Sequence, residues 1–262
     1  MPIEEALAGP ALPLLAGALG LVVGSFLNVC IARWPKDESV VRPRSRCPGC
    51  QKPIAWYDNV PVLSWLLLRA HCRHCREPIS IQYPMVELAV GVLWAWMAWR
   101  YGPTIEALRG ATFVTILLGI AATDARHYLI PDEFTWGGLA LGLLFSLAGG
   151  LEGFITALIG AAVGFVLLYV VGFLGTLAFK EEAMGGGDIK MMAMVGAFVG
   201  WQGVLLTIFL GALLGSLIFV PLALVGRKKL VPFGVFLAMG AVAAYLAGPA
   251  LVAWYRDTFL FT

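Results

Sequence analysis

Apolar residues fall along this chain in long blocks separated by short polar joints. A helix that crosses a bilayer needs about 20 predominantly apolar residues. The pattern predicts eight spans: about Leu12 to Ala32, Pro84 to Trp99, Glu106 to Thr123, Phe134 to Leu147, Phe154 to Phe179, Asp188 to Val199, Val204 to Val225 and Pro232 to Trp254. The sixth is too short to cross unless it tilts or the preceding loop inserts. A polar segment, about Arg33 to Tyr83, separates the first span from the second. Glycines between Gly160 and Gly175 predict close helix packing. No internal repeat stands out. The expected fold is an all-α polytopic membrane protein of about eight transmembrane helices, with a small cytoplasmic segment between the first two.

Composition agrees with that pattern. Of the 262 residues, 60% are hydrophobic and 13% charged, against about 25% charged in soluble domains. The first residues, Met1-Pro-Ile-Glu-Glu, are acidic where a cleavable signal peptide is basic, so the first span is expected to be retained.

The charge distribution sets an orientation. With eight alternating spans, 15 of the 18 Lys and Arg residues fall on one side, including Arg33, Lys36, Arg126, Lys180, Lys190, Arg227, Lys228 and Lys229. Arg100, Arg109 and Arg256 fall on the other. By the positive-inside rule the crowded side is the cytoplasm. The polar segment is then cytoplasmic and both termini are outside.

Two acidic residues fall at the joints. Asp124 ends the third span and Asp188 opens the sixth, after Gly185, Gly186 and Gly187. Those spans run in opposite directions, so both aspartates land at the cytoplasmic boundary. Charged groups at such depth are costly and mark function. Two carboxyls in one site do not both ionise easily, and the protonated and ionised partners can then act as general acid and base in peptide hydrolysis. The dipole at a helix N-terminus favours an anion. On that ground Asp188 is the expected anion and Asp124 the expected proton carrier. The three glycines form an expected supporting loop, able to adopt unusual dihedrals and to admit a substrate strand. The plainer reading makes Asp188 an ordinary helix cap and Asp124 a solvated loop residue. Asp132, after Pro131, reads as a turn or cap residue.

Four of the five cysteines form two CxxC pairs, Cys47/Cys50 and Cys72/Cys75, with 21 residues between them. That spacing is close to a four-thiolate zinc pattern, closed and therefore structural. Metal would stabilise a segment too small for a core of its own. Four unliganded thiols are the alternative. Cys30, inside the first span, reads as a packing residue.

Taken together, these residues resemble the type IV prepilin peptidase family, part of the wider GxGD aspartyl membrane proteases. The resemblance rests on Gly185–Asp188, on Asp124 upstream of Ile130-Pro-Asp, and on Gly24-Ser-Phe-Leu-Asn28-Val with Arg33 and Pro35. It rests also on the double CxxC, the Ala55 to Trp65 stretch and Tyr83-Pro-Met-Val-Glu87. It covers nearly the whole chain in order.

The resemblance implies a bifunctional enzyme of the bacterial inner membrane. It would remove the basic leader from type IV prepilins or type II secretion pseudopilins at the cytoplasmic face, and then N-methylate the new terminus with S-adenosylmethionine. Asp124 and Asp188 would be catalytic, and Cys47, Cys50, Cys72 and Cys75 would bind zinc. Asn28, Arg33 and Glu87 are candidate cofactor-binding groups; helix-packing hydrogen bonds, or interfacial anchoring for Arg33, are the alternatives. The implied domains are 1–32, the first transmembrane helix; 33–83, a methyltransferase-associated zinc segment; and 84–262, the transmembrane protease. The implied partners are substrates with a basic leader and an apolar helix, together with membrane lipid; no nucleic acid is expected. The family commonly has Gly and a basic residue before the third cysteine, where this chain has Ala70 and His71. Three other readings compete: a peptidase without methyltransferase activity, a proton- or cation-coupled transporter using the paired aspartates, and a non-catalytic scaffold.

Overall fold

The structure, a computed structural model, describes residues 9–181, 183–224 and 232–259. The acidic N-terminal residues, the end of the seventh span at Val225 and the basic Arg227, Lys228 and Lys229 lie outside the described residues. Eight α-helices account for most of the described chain: α1 (Ala11–Arg33), α2 (Leu63–Leu67), α3 (Gln82–Tyr101), α4 (Ile105–His127), α5 (Asp132–Ser146), α6 (Gly150–Phe179), α7 (Gly186–Leu224) and α8 (Phe233–Phe259). The chain divides into two compact units, Met1–Thr115 and Ile116–Thr262.

Among the described residues, all eight predicted spans fall on helices, with one difference in how they are joined. Spans six and seven are two halves of α7, separated by Gly200 at φ 70° and ψ 175°, a conformation open essentially only to glycine. The half before the kink, 186–199, is about 21 Å long at 1.5 Å per residue, shorter than the ~30 Å hydrocarbon layer. Among the described residues four stretches are long and apolar enough to cross a membrane: Ala11–Lys36, Ile105–His127, Asp132–Phe179 and Gly186–Pro221. The protein is therefore a multi-pass membrane protein. The third stretch holds predicted spans four and five, parted at Gly150, whose φ is 67°. Gln82–Tyr101 is 20 residues long and is not one of these four.

In the first unit α1 packs along α3 through small residues. A Cβ on Gly24 would lie 2.7 Å from Glu87 Cα, and one on Gly20 would lie 2.8 Å from Trp94 Cβ. Only glycine allows this approach, the usual device where lipid supplies no hydrophobic drive between helices. Between α1 and α3 the chain forms α2, short 3-10 turns and two cysteine knuckles.

In the second unit the first half of α7 is the centre. Met191, Met192, Met194 and Val195 have no exposed surface, as expected of a helix apolar on all sides. Gly160 on α6 and Gly196 on α7 meet backbone to backbone; a Cβ on either would overlap the other's carbonyl. This places the glycine run predicted for packing in a real helix contact.

Candidate active site and metal centre

Asp124 occupies the last turn of α4 and is 6% exposed. The helix ends just beyond it at Tyr128, whose φ is 52° and whose N–H donates to the Asp124 carbonyl at 2.9 Å. The Asp124 side chain reaches the first turn of α8, where the Val235 N–H donates to Oδ2 at 3.2 Å. Pro232, just before the helix, is the natural starter of that turn.

Asp188 is the third residue of α7. Its Oδ1 is buried and has no hydrogen-bond partner, so that oxygen does not cap the helix. The two carboxyl-bearing turns come together around Ile130: a Cβ on Gly187, next to Asp188, would lie 2.9 Å from Ile130 Cβ, and one on Gly234 would lie 2.8 Å from Ile130 Cδ1 and 2.9 Å from Asp124 Oδ2. The pairing predicted from span counting is therefore met in space, within one compact unit.

Two details of the prediction change. The dipole argument made Asp188 the anion. In the structure Asp124 also faces a helix N-terminus, that of α8, and it alone of the two receives a backbone N–H from it. The helix-terminus argument therefore applies to Asp124 as well as to Asp188. Nor do the glycines supply unusual dihedrals: positive φ among the described glycines occurs at Gly102, Gly150 and Gly200, not at 185–187. Gly187 is required by space instead. A Cβ there would lie 2.9 Å from Ile130 Cβ, whereas one on Gly186 would meet nothing.

Sequence inspection missed Lys190 as a partner for Asp132. Its Nζ lies 2.7 and 2.8 Å from the two carboxylate oxygens, so Asp132 is an ion-pair member and not merely a turn residue. The opposite charges just after each aspartate-bearing turn were the available signal.

The four cysteines converge. Their Sγ atoms all lie within 4.8 Å of one another. The cross-knuckle pairs Cys47–Cys75 and Cys50–Cys72 are 3.6 and 4.0 Å apart. A tetrahedral thiolate site with metal–sulfur bonds of about 2.3 Å has S···S edges of about 3.8 Å. The set fits a metal ion of that kind. Backbone N–H groups of Cys75 and His74 lower the Cys72 thiol to about 6. The Glu77 N–H lowers the Cys75 thiol, but loss of hydration and the adjoining thiols outweigh it and raise that thiol to about 12.

The knuckles are an internal repeat, contrary to the sequence reading. Each carries a β-bridge, Arg46 with Pro53 and His71 with Pro78. Each has a left-handed residue after its second cysteine, Gln51 (φ 58°) and Arg76 (φ 62°). The first cysteine's N–H donates to a carbonyl five residues on in both: Cys47 to Lys52 at 3.0 Å and Cys72 to Glu77 at 2.8 Å. The shared C-x-x-C-x-x-P-I of Cys47–Ile54 and Cys72–Ile79 was the signal.

Asn28, Arg33 and Glu87 tie the polar segment to its helices. The Asn28 amide donates to Tyr83 O at 3.0 Å. Arg33 clamps the Ser39 and Pro43 carbonyls, each at 2.8 Å. Glu87, 7% exposed, accepts the Val62 N–H at 2.7 Å. Val62 stands at φ 61° and ψ −51°, an unusual conformation for a β-branched residue. In each of the three at least one polar group is engaged by backbone.

Comparison with known proteins follows the same division of the chain. Residues 18–101 match the bacterial peptidase A24 N-terminal domain, and residues 111–220, which hold both aspartates, match the type IV leader peptidase family. The chain belongs to the type IV leader peptidase family. It is similar to proteins named prepilin leader peptidase/N-methyltransferase. That of Aeromonas hydrophila is 36% identical over 92% of each chain, and that of Stutzerimonas stutzeri 36% identical over 97% of each. The Myxococcus xanthus protein is 43% identical over 80% of this chain, a match that spans 63% of the relative's length. No solved structure matches.

Membership explains why this leader peptidase carries two separate polar centres. The cysteine cluster and the aspartate pair fall in different compact units and under different family domains.

Proposed function

We propose that this protein is a leader peptidase of the inner membrane that cleaves prepilins or pseudopilins and N-methylates the new terminus, with Asp124 and Asp188 as its hydrolytic pair. The observation that carries the hydrolytic reading is the unequal pair itself: one buried carboxyl with a backbone donor, next to one with an unpartnered buried oxygen.

Asp124 is the base. The Val235 N–H steadies its carboxylate while Oδ1 takes a proton from water. Asp188 holds the shared proton, which answers the empty position at its Oδ1. The water oxygen bonds to the scissile carbonyl carbon as Asp188 protonates the carbonyl oxygen. The C–N bond then breaks as the amine takes the proton that Asp124 took up, and a hydroxyl of the tetrahedral diol returns its proton to Asp188, leaving the new carboxyl group and the pair as it began. Glycines 185–187 keep this turn free of side chains for the substrate strand. The pair titrates as a unit, so its apparent values belong to neither residue alone.

A transporter needs its carboxyls near mid-membrane. Here they sit in the last turn of one helix and the first turn of another. The charge asymmetry supports a cytoplasmic active site. The basic leader would then be cut where it meets the membrane, with the pilin's apolar helix still in lipid.

Cys47, Cys50, Cys72 and Cys75 would hold zinc, whose role is to close the two knuckles into one fold. With four thiolates no ligand position remains for water, so the metal takes no catalytic step. The methyl donor supplies an electrophilic methyl group to the new terminal amine. We assign that activity to the 33–83 segment, framed by Asn28, Arg33 and Glu87; this rests on the resemblance and on the relatives' names.

The test mixes purified enzyme with a prepilin. Cleavage is lost in both Asp124→Ala and Asp188→Ala while each variant stays folded. Full cleavage by either variant overturns the mechanism. Mass spectrometry of the mature product for an added methyl group tests the second activity.

A further inference from the structure

Ile130 lies in the joint between α4 and α5, yet its side chain is buried at 8% exposure while its neighbours Tyr128 and Leu129 stand about half exposed. It enters the narrow space between the two turns that serve the carboxyl pair. On one side is Gly187, which immediately precedes Asp188. A Cβ there would lie 2.9 Å from Ile130 Cβ. On the other side is Gly234, at the start of α8. A Cβ there would lie 2.8 Å from Ile130 Cδ1 and 2.9 Å from Asp124 Oδ2. One side chain therefore touches both elements, and each meets it with a glycine.

The joint is pinned at both ends. Before Ile130, the left-handed Tyr128 returns its N–H to the Asp124 carbonyl. After it, Asp132 is held by Lys190, two residues beyond Asp188. Neither anchor alone fixes the distance between the α7 turn and the α8 turn. The Ile130 side chain fills that distance.

We propose that Ile130 is a positioning residue that sets the separation of the Asp124 and Asp188 carboxyl groups by standing between Gly187 and Gly234. The proposal rests on the hydrolytic reading of the pair. Two carboxyls that must share one proton and one water tolerate little change in spacing, and a displacement of about 1 Å in a catalytic group can lower a rate about a hundredfold. A truncated core residue leaves a cavity whose walls partly close, and here those walls carry the reacting groups.

The test uses the full-length enzyme and a prepilin. Ile130→Ala is expected to lower kcat about tenfold or more with KM within about twofold. It is also expected to move the pH–kcat profile, because coupling between two carboxyls depends on their distance. Ile130→Val keeps the Cβ that faces Gly187 and drops the Cδ1 that faces Gly234, so it should partly rescue Gly234→Ala and fail to rescue Gly187→Ala. An Ile130→Ala enzyme with wild-type kcat and pH profile overturns the proposal. So does a loss of kcat accounted for by the unfolded fraction with the profile unchanged, or equal rescue of both glycine variants. Should Ile130→Ala fail to fold, the valine rescue pair decides alone. Asp124→Asn and Asp188→Asn are assayed alongside. If either still cleaves, the hydrolytic reading fails; if both are inactive and Ile130→Ala is normal, only the spacer fails.

Discussion

The Val235 N–H meets Asp124 Oδ2 at 3.2 Å, across 111 positions of sequence. That bond ties the start of the last helix to one carboxyl of the pair and leaves the other without such a donor. The two aspartates thus form one unit with unequal parts. Residues that act as a unit in catalysis are non-additive. Asp124→Asn, Asp188→Asn and the double variant should therefore show the same loss of prepilin cleavage, about 10³-fold or more. Each should still methylate a substrate supplied already cleaved, because the second activity is assigned to the other unit. A double variant markedly slower than either single one would show independent roles.

The cysteine cluster gives a prediction about metal. A purified chain should carry one zinc, lost on substitution of any one of Cys47, Cys50, Cys72 or Cys75 by Ser. Thiols must lose protons to bind it, so affinity should fall by about tenfold or more between pH 7.5 and 5.5. Competition with a chromophoric chelator measures this. Retention of full affinity in a Cys→Ser variant would exclude the four-thiolate site.

Most of the helices were legible because a span of about 20 apolar residues leaves a strong mark. The joining of spans six and seven into α7 was not, since one glycine at φ 70° leaves a trace no different from a loop. Pairing of Asp124 with Asp188 could be read from helix direction alone. Their inequality could not, because it depends on the α8 turn brought back from more than 100 residues away. Ile130 was equally hidden: in sequence it is an apolar residue before a proline, and only packing shows what lies on either side. The repeat of the knuckles is legible in C-x-x-C-x-x-P-I, whose proline and isoleucine extend the likeness beyond the cysteine pairs.

Ala70, where the family commonly has glycine, stands at φ 61°. Its N–H donates to Trp65 O at 2.8 Å and its carbonyl accepts from Ile79 at 2.7 Å, so the conformation is fixed from both sides. An L-residue in this region is strained by about 1–2 kcal/mol. Glycine relieves that strain but loses about 0.4–1 kcal/mol through the freer unfolded chain. Ala70→Gly should therefore stabilise the segment by about 0.5–1 kcal/mol. A rise in melting temperature of the zinc-loaded enzyme in detergent checks this. No rise, or a fall, would mean the left-handed turn is not held in the folded protein.

The surface ion pair of the same segment has its own pH signature. The Arg73 guanidinium, hydrogen-bonded to Asp58 at 2.8 and 3.1 Å, holds that carboxyl below the usual carboxylate range. Depression in the folded state means the pair contributes stability above the unfolded value near 3.8, and that this is lost as pH falls through the lower folded value. Arg73→Ala should bring the Asp58 titration, followed by NMR, back up toward its ordinary range and leave prepilin cleavage near pH 7 within about twofold, as surface pairs contribute little. An unmoved titration would show that Arg73 is not the cause.

Glu87 separates a structural role from a chemical one. Its carboxylate accepts the Val62 N–H at 2.7 Å and lies nine-tenths buried against α1. Glu87→Ala leaves that N–H without its acceptor, at a cost of about 1–3 kcal/mol, and frees Val62 from its unusual turn. Glu87→Gln keeps an oxygen acceptor and removes only the charge. If the carboxylate serves only to hold the loop, the Gln variant methylates at a rate close to the wild type and the Ala variant does not. If the charge is needed at the methyl-transfer site, both lose methylation by about tenfold or more, a barrier of about 1.4 kcal/mol. Assignment of Glu87 to that site predicts the second outcome, with cleavage by the aspartate pair within about twofold of wild type in Glu87→Gln. Equal loss of cleavage and methylation in the Gln variant would mean that the residue supports the whole fold and neither chemistry in particular.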